Sequence, residues 1–290
     1  MPSGILIIDK SPGWTSQDVT AKLRGLFGER RVGHGGTLDP MATGVLPIFL
    51  GRATRAVEFF EHAEKEYVAG LRLGMTTDTE DTTGTVLSEQ PVNVTPEQVC
   101  AAVESLRGEH EQTPPMYSAV KVGGRKLYEL AREGRQVERK PRRITIREAE
   151  LLEGEGAHWR FRVVCSKGTY VRTLCRALGE LLGCGGCMES LRRTRAGIYG
   201  LDGAHTIEEI IAMPPGHRLR LLLPVDSLFS QYPELRLTEN QTRRVLCGGA
   251  FSLPRPDGTY RFYGPDGAFL ALGRIEAGTA STIKSFFEVN

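Results

Sequence analysis

The sequence predicts an α+β fold: a mixed, mainly antiparallel sheet with flanking helices, followed by a small β-rich module. Three observations carry this. Strand and helix patterns are interspersed without a regular strand–helix–strand rhythm, which argues against a doubly wound parallel sheet. The composition changes around PPGHRLRLLLPVDSLFSQYPE. Beyond about Pro233, short strand patterns separated by glycine turns predominate, as in CGGAFSLPRPDGTYRFYGPDGAFLALGRIEAG. The expected division is one large domain over 1–230 and a module over 231–290.

The elements follow in order. GILIIDK reads as a strand closed by the turn formers Ser11, Pro12 and Gly13. Ser16 is placed to cap a helix in which Val19, Leu23, Leu26 and Phe27 recur at helical spacing. A loop follows, then VLPIFLG as a buried strand, a helix over 52–64 and the alternating strand EYVAGLRLG. DTEDTTG is a polar turn before the strand TVLSEQ. Thr95-Pro96-Glu97 starts a helix through Leu106 with Val99, Ala102, Val103 and Leu106 facing inward. A proline-rich extended segment, TPPMYSAVKVGG, leads to a short helix over 127–132. RRITIREAELLEG and HWRFRVVCSKG are strands, the second with Trp159, Phe161, Val163 and Cys165 on one face. TYVRTLCRALGELLG is an amphipathic helix with Val171, Leu174, Leu178, Leu181 and Leu182 as its apolar stripe.

Composition bounds the function. Of 290 residues, 40% are hydrophobic and 25% charged, a globular balance, and no run approaches the ~18 apolar residues that span a bilayer. MPSGILIIDKSPG lacks the basic start and cleavage site of a secretory signal, so the cytoplasm is the expected compartment. Cys184 and Cys187 form a CxxC, but no second CxxC or histidine pair supplies two further zinc ligands. Packing is their expected role, with no metal and no cofactor. Net charge is only +2, yet Arg139, Lys140, Arg142 and Arg143 cluster, as do Arg192, Arg193 and Arg195. Local basic clusters suit a localised polyanion footprint, and a solvated face accounts for either cluster alone.

GHGGTLDPMATGVLPIFLG, from Gly33 to Gly51, holds a single full charge, Asp39. No second carboxylate stands nearby for paired acid–base work, and no nucleophile elbow, Walker loop or GxGxxG is present. A lone aspartate in a dry pocket needs a cationic partner to stay ionised. It then serves as nucleophile or base without a metal. A structural Asp-Pro turn explains the residues equally well. His34, five residues earlier, lines the same loop. Tyr170 and Arg172 sit where a strand gives way to a helix N-terminus, a place suited to anionic groups. There Tyr170 can stack on a base and Arg172 can pair with a carboxylate or phosphate; core packing and solvation are the plainer alternatives. Tyr67, at a strand start, is another aromatic with core packing as its plainer role.

Together these stretches resemble the TruB family of bacterial tRNA pseudouridine synthases. The similarity runs through ILIIDKSPGWTS, GHGGTLDPMATGVLPIFLGRATR, KEYVAGLRLGMTTDTEDTTG, PPMYSAVKVGGRKLYELAREG and SKGTYVRTLCRALGELLGCGGCMESLRRTRAG. The C-terminal module is similar to a PUA domain. The resemblance implies isomerisation of uridine 55 in the tRNA T-loop to pseudouridine, by a flipped-out nucleotide and without cofactor or metal. It places the essential aspartate on Asp39, with Arg172 as its ion-pair partner and Tyr170 beside sugar and base. Tyr67 would stack on the flipped uracil, Leu191 would wall the pocket, and Arg192 and Arg193 would reach phosphates. His34 would fill space left by the flipped nucleotide. Gly35 stands where the family often has threonine, which suggests a looser loop. tRNA is the implied partner through its T-loop and elbow, with a monomer acting without membrane or obligatory protein partner. Two rivals stand beside this reading: a non-catalytic tRNA-binding or folding module, and a guide-RNA-dependent synthase subunit.

Overall fold

The structure, a computed structural model, describes residues 2–288. Its large domain is built on β1 (Gly4–Lys10), β2 (Val32–His34), β3 (Thr43–Leu50) and β4 (Lys65–Leu73). After a β5–β6 ribbon (Met75–Thr77 and Val86–Glu89) come β7 (Gly108–Gln112) and a small β8–β9 ribbon (Lys121–Val122 and Arg125–Lys126). The set closes with β10 (Arg142–Glu155), β11 (His158–Cys165), β12 (Gly186–Ala196) and β13 (Tyr199–Gly200). The main sheet runs β1-β3-β12-β4-β11-β10-β7, with β2 on β3 and β13 on β12. Every pairing is antiparallel except β12 with β3. The mixed, mainly antiparallel sheet expected from the sequence is what forms.

Burial explains the strand compositions. On β1 and β3, Leu6, Ile8, Leu46, Ile48 and Leu50 face one core while Ile5, Ile7, Val45 and Phe49 face another. Covered on both faces, these strands read as continuous apolar runs. β4 is covered on one face only. Tyr67, Ala69, Leu71 and Leu73 point inward, and Glu66 on the opposite face pairs with Arg162 at 2.8 Å. On β11 Trp159, Phe161, Val163 and Cys165 join the same core, as the alternation predicts.

The helices α1 (Ser16–Phe27), α3 (Pro96–Glu104) and α5 (Val171–Leu181) pack on that core, α2 (Val57–Phe60) puts Phe60 in the other, and α4 (Leu127–Arg132) follows the β8–β9 ribbon. Three expectations need correction. Thr15, not Ser16, caps α1, in a capping box with Asp18, because Ser16 is buried and bonded elsewhere. The helix expected over 52–64 is a 3-10 turn, Gly51–Ala56, followed by the single turn of α2. The Lys65 amine donates to the Glu61 and Ala63 carbonyls and holds the chain out of further turns. In α5 the stripe of Val171, Leu174 and Leu178 is buried, but Leu181 is 64% exposed at the helix end.

The second sheet has the order β14-β16-β17-β18-β15, from β14 (Glu234–Arg236), β15 (Phe251–Ser252), β16 (Gly258–Tyr263), β17 (Phe269–Glu276) and β18 (Thr279–Ser285). It has a core of its own around Phe262, Leu270 and Ile275. It also shares one with the large domain. Phe229 lies 5.3 Å from Phe59, 6.2 Å from Phe269 and 5.7 Å from Phe286, ring centre to ring centre. No helix among the described residues is long and apolar enough to cross a membrane.

Candidate active site

The loop that carries Asp39 is tied at each neighbouring residue. The Leu38 N–H donates to the Ser16 hydroxyl at 2.8 Å, and that hydroxyl donates to the Leu38 carbonyl at 3.2 Å. The Pro40 carbonyl accepts from the Gly13 N–H at 2.9 Å and from the Lys10 amine at 3.1 Å. Ala42 N–H closes the turn onto the Asp39 carbonyl. A side chain on such a frame has little freedom left but its own rotamer. Lys10 is wholly buried, and that burial lowers its amine to a pKa of about 8, with Asp39 opposing the shift.

Arg172 reaches Asp39 from the first turn of α5. Its Nε lies 2.9 Å from Oδ2 and its Nη2 3.4 Å from Oδ1, a two-pronged pairing of guanidinium and carboxylate. The arginine side chain is 5% exposed, whereas the aspartate keeps 35% and so remains reachable from outside. The guanidinium is fixed on its other sides. Nη1 donates to the Thr79 carbonyl at 2.9 Å, Nη2 to the Tyr117 carbonyl at 2.8 Å, and Nε lies 3.7 Å from the Asp81 carboxylate.

Asp81 is one of two site residues that sequence reasoning missed. Within the polar turn DTEDTTG it accepts from the Thr79 hydroxyl, the Thr83 hydroxyl and the Thr83 N–H at 2.8, 2.6 and 3.0 Å. Glu80, in the left-handed region at φ 64°, is held by the Thr173 hydroxyl and Arg176 of α5. The density of threonine and carboxylate in the turn was the available signal. Gln112 was also missed. Its amide accepts from the Tyr170 N–H at 2.8 Å and donates to the Tyr170 carbonyl at 3.1 Å, fixing the start of α5.

The other expected residues occupy the following places. Tyr67 on β4 is buried, which raises its phenol, with Arg193 and Asp39 both within electrostatic reach. Leu191 on β12 is buried opposite Ala69, two residues along the sheet from Tyr67. Tyr170 is half-buried at the cap of α5. His34 pairs with Ile48 across β2 and β3, its Nδ1 buried without a hydrogen-bond partner. Burial first, then the Arg193 charge, lowers its pKa and favours the neutral ring.

Two expectations fail. Arg193 reaches no phosphate, because it is 1% exposed beneath the loop; Arg192 stays half-exposed and pairs with Asp9 at 2.8 Å. Gly35 does not loosen the loop. It is buried, and a Cβ there would stand 2.5 Å from the Phe60 ring, so packing against Phe60 explains the glycine. Cys184 and Cys187 are buried free thiols, and no metal-holding cluster of His, Cys, Asp or Glu occurs among the described residues.

Asp39 thus presents a carboxylate 35% exposed, backed by a fixed guanidinium, on a mixed sheet with flanking helices. Solved structures share that fold. The chain is similar to a Cbf5–Nop10–Gar1 complex with a TM-score of 0.73 and 25% identity, covering 98% of this chain and 85% of that one. An archaeal box H/ACA Nop10–Cbf5 complex gives a TM-score of 0.71 at 24% identity, over 99% and 86% of the two chains. The chain belongs to the TruB family: residues 24–171 match the N-terminal domain of TruB family pseudouridylate synthases, and residues 172–230 match the tRNA pseudouridylate synthase B C-terminal domain. Among curated relatives, tRNA pseudouridine synthase B of Aromatoleum aromaticum is 46% identical, covering 96% of this chain and 91% of the relative. Its counterpart in Geobacillus kaustophilus is 45% identical over 87% and 91%. The chain is therefore a tRNA pseudouridine synthase, an isomerase.

Proposed function

We propose that this enzyme converts uridine 55 in the T-loop of tRNA to pseudouridine, with Asp39 as its catalytic group. The observation that carries the reading is the two-pronged Asp39–Arg172 pair, buried on the arginine side and open on the aspartate side. An adjacent guanidinium favours the ionised carboxylate and aims it. Both chemical routes need that ion: attack of the carboxylate on C1′, or removal of the 2′ proton on the way to a glycal. Either route breaks the bond between N1 and C1′ and turns the uracil over. C5 then joins C1′, the C5 proton leaves, and N1 takes up a proton.

The target nucleotide must leave the T-loop stack to reach Asp39. Tyr67 offers its ring to the everted base, Leu191 walls the pocket, Tyr170 stands by the sugar, and His34 fills the place the base leaves. The exposed residues Lys140, Arg142 and Arg143 supply phosphate contacts beside the site. The module over 231–290 adds tRNA affinity to the catalytic domain over 1–230. tRNA is the sole partner in this reading, so the purified chain should act on an unmodified T-loop hairpin.

Tritium release from C5-labelled uridine tests this. Wild-type protein should release it from the hairpin, and Asp39→Asn should abolish release while keeping tRNA binding. Near-normal turnover by Asp39→Asn refutes the assignment, and binding without release by the wild type would favour a non-catalytic RNA-binding module.

A further inference from the structure

Arg193 is one of the largest fully buried side chains in the protein. Among the described residues no carboxylate forms an ion pair with it, although buried charges are ordinarily paired. Its recorded donors go to neutral groups: Nε to the Val45 carbonyl at 2.6 Å and Nη2 to the Gly36 carbonyl at 3.2 Å. Those two carbonyls flank the loop that carries Asp39. One guanidinium therefore ties both stems of the loop together.

Its placement is built into the sheet. Arg193 stands opposite Tyr67 in the antiparallel β12–β4 pair and opposite Gly44 in the parallel β12–β3 pair. Gly44, at φ 99°, has no room for a Cβ, which would lie 2.1 Å from the Arg193 carbonyl. Directly opposed residues share one face of a sheet, so the Arg193 charge stands next to Tyr67 and acts on its buried phenol.

We infer that Arg193 is a positioning residue for the isomerisation, clamping the Asp39 loop through Gly36 and Val45 and setting that loop against Tyr67, its direct neighbour across the sheet. This rests on the reading of Asp39 and Tyr67 given above. An apolar side chain would fill the same space at no cost in buried charge, so packing alone does not account for an arginine here. Lys10 and Lys65 are buried nearby, and the Arg193 charge disfavours protonation of each. Electrons released onto the uracil when its sugar bond breaks would meet this surplus of positive charge.

The test uses full-length protein, a tRNA transcript labelled at C5, single-turnover tritium release, tRNA binding and thermal melting. Arg193→Gln should lower the rate on the order of 100-fold, the cost of about 1 Å of misplacement, with tRNA Kd changed by less than about threefold. Arg193→Lys should recover about tenfold of that loss, since it keeps the charge but not the fork. In a Tyr67→Phe background Arg193→Gln should cost clearly less than in the wild type, because coupled residues are non-additive. A folded Arg193→Gln with wild-type rate, or strict additivity with Tyr67→Phe, overturns the inference. If Arg193→Gln does not fold, Arg193→Lys carries the test: a wild-type rate overturns it, and a tenfold loss that shrinks in Tyr67→Phe supports it. A wild-type enzyme inactive on tRNA would instead sink the isomerase reading, and this inference with it.

Discussion

Replacing Arg172 by methionine keeps most of the side-chain volume and removes every donor. Asp39 loses contacts at 2.9 and 3.4 Å, Asp81 loses its cation at 3.7 Å, and the Thr79 and Tyr117 carbonyls lose donors at 2.9 and 2.8 Å. Breaking a buried pair costs about 3–5 kcal/mol, and each orphaned buried carbonyl about 1–3 kcal/mol. Two facts reduce the sum. Asp39 is 35% exposed and recovers water, and Asp81 keeps three donors from Thr79 and Thr83. A net loss of about 3–4 kcal/mol remains, or about 10 °C in melting temperature at roughly 2–4 °C per kcal/mol. The rate should fall far more than stability demands, because the carboxylate loses its aim as well as its partner. Single-turnover tritium release, measured well below the variant's melting temperature, separates the two effects. A rate within about threefold of wild type, beside the expected loss of stability, would show Arg172 to be structural only and refute the reasoning.

Two further outcomes follow from the same structure. Lys10 holds its proton less tightly folded, at about 8, than its free value of 10.5. The folded state therefore bears the full cost of a buried ammonium below about pH 8, and the cost fades toward pH 10.5. Relative to wild type, Lys10→Met should gain most at low pH and lose that advantage as pH rises through this window; a flat difference in denaturation free energy between pH 7 and 10 would contradict it. Phe229→Ala should cost about 3–5 kcal/mol through the cavity it leaves among Phe59, Phe269 and Phe286, with the whole chain still melting in one transition. Two separate transitions would show that the modules fold independently.

Much of this was legible because local pattern and final environment agree. The apolar runs of β1 and β3 and the alternation of β11 say how many faces of each strand are covered. Asp39, the lone charge of its stretch, is found paired with a cation, as its isolation requires. What the sequence hides depends on distant neighbours. β12 reads as a basic cluster because bulges between Met188 and Ser190, and between Arg193 and Arg195, break its period of two. Nothing local distinguishes Arg192, paired at the surface, from Arg193, buried beneath the loop. Asp81 looks like a turn residue until Arg172 arrives from α5. Ser16 has the chemistry of a cap, but the Leu38 backbone claims it. These three misses are contacts across a large span of chain, whereas the helix expected over 52–64 was cut short by its near neighbour Lys65.

The place of β12 between β3 and β4 has a consequence for how the enzyme is made. Asp39 belongs to the half of the sheet containing β1 and β3, while Tyr67 belongs to the half built on β4 and β11. The two halves share no other strand. During synthesis β1, β3 and β4 emerge early and β11 is complete at residue 165, but residues 186–196 must leave the ribosome before a strand can join the two halves. Such late, long-range pairing is the slow kind. The nascent chain thus carries Asp39 for most of its synthesis without the strand that sets it opposite Tyr67.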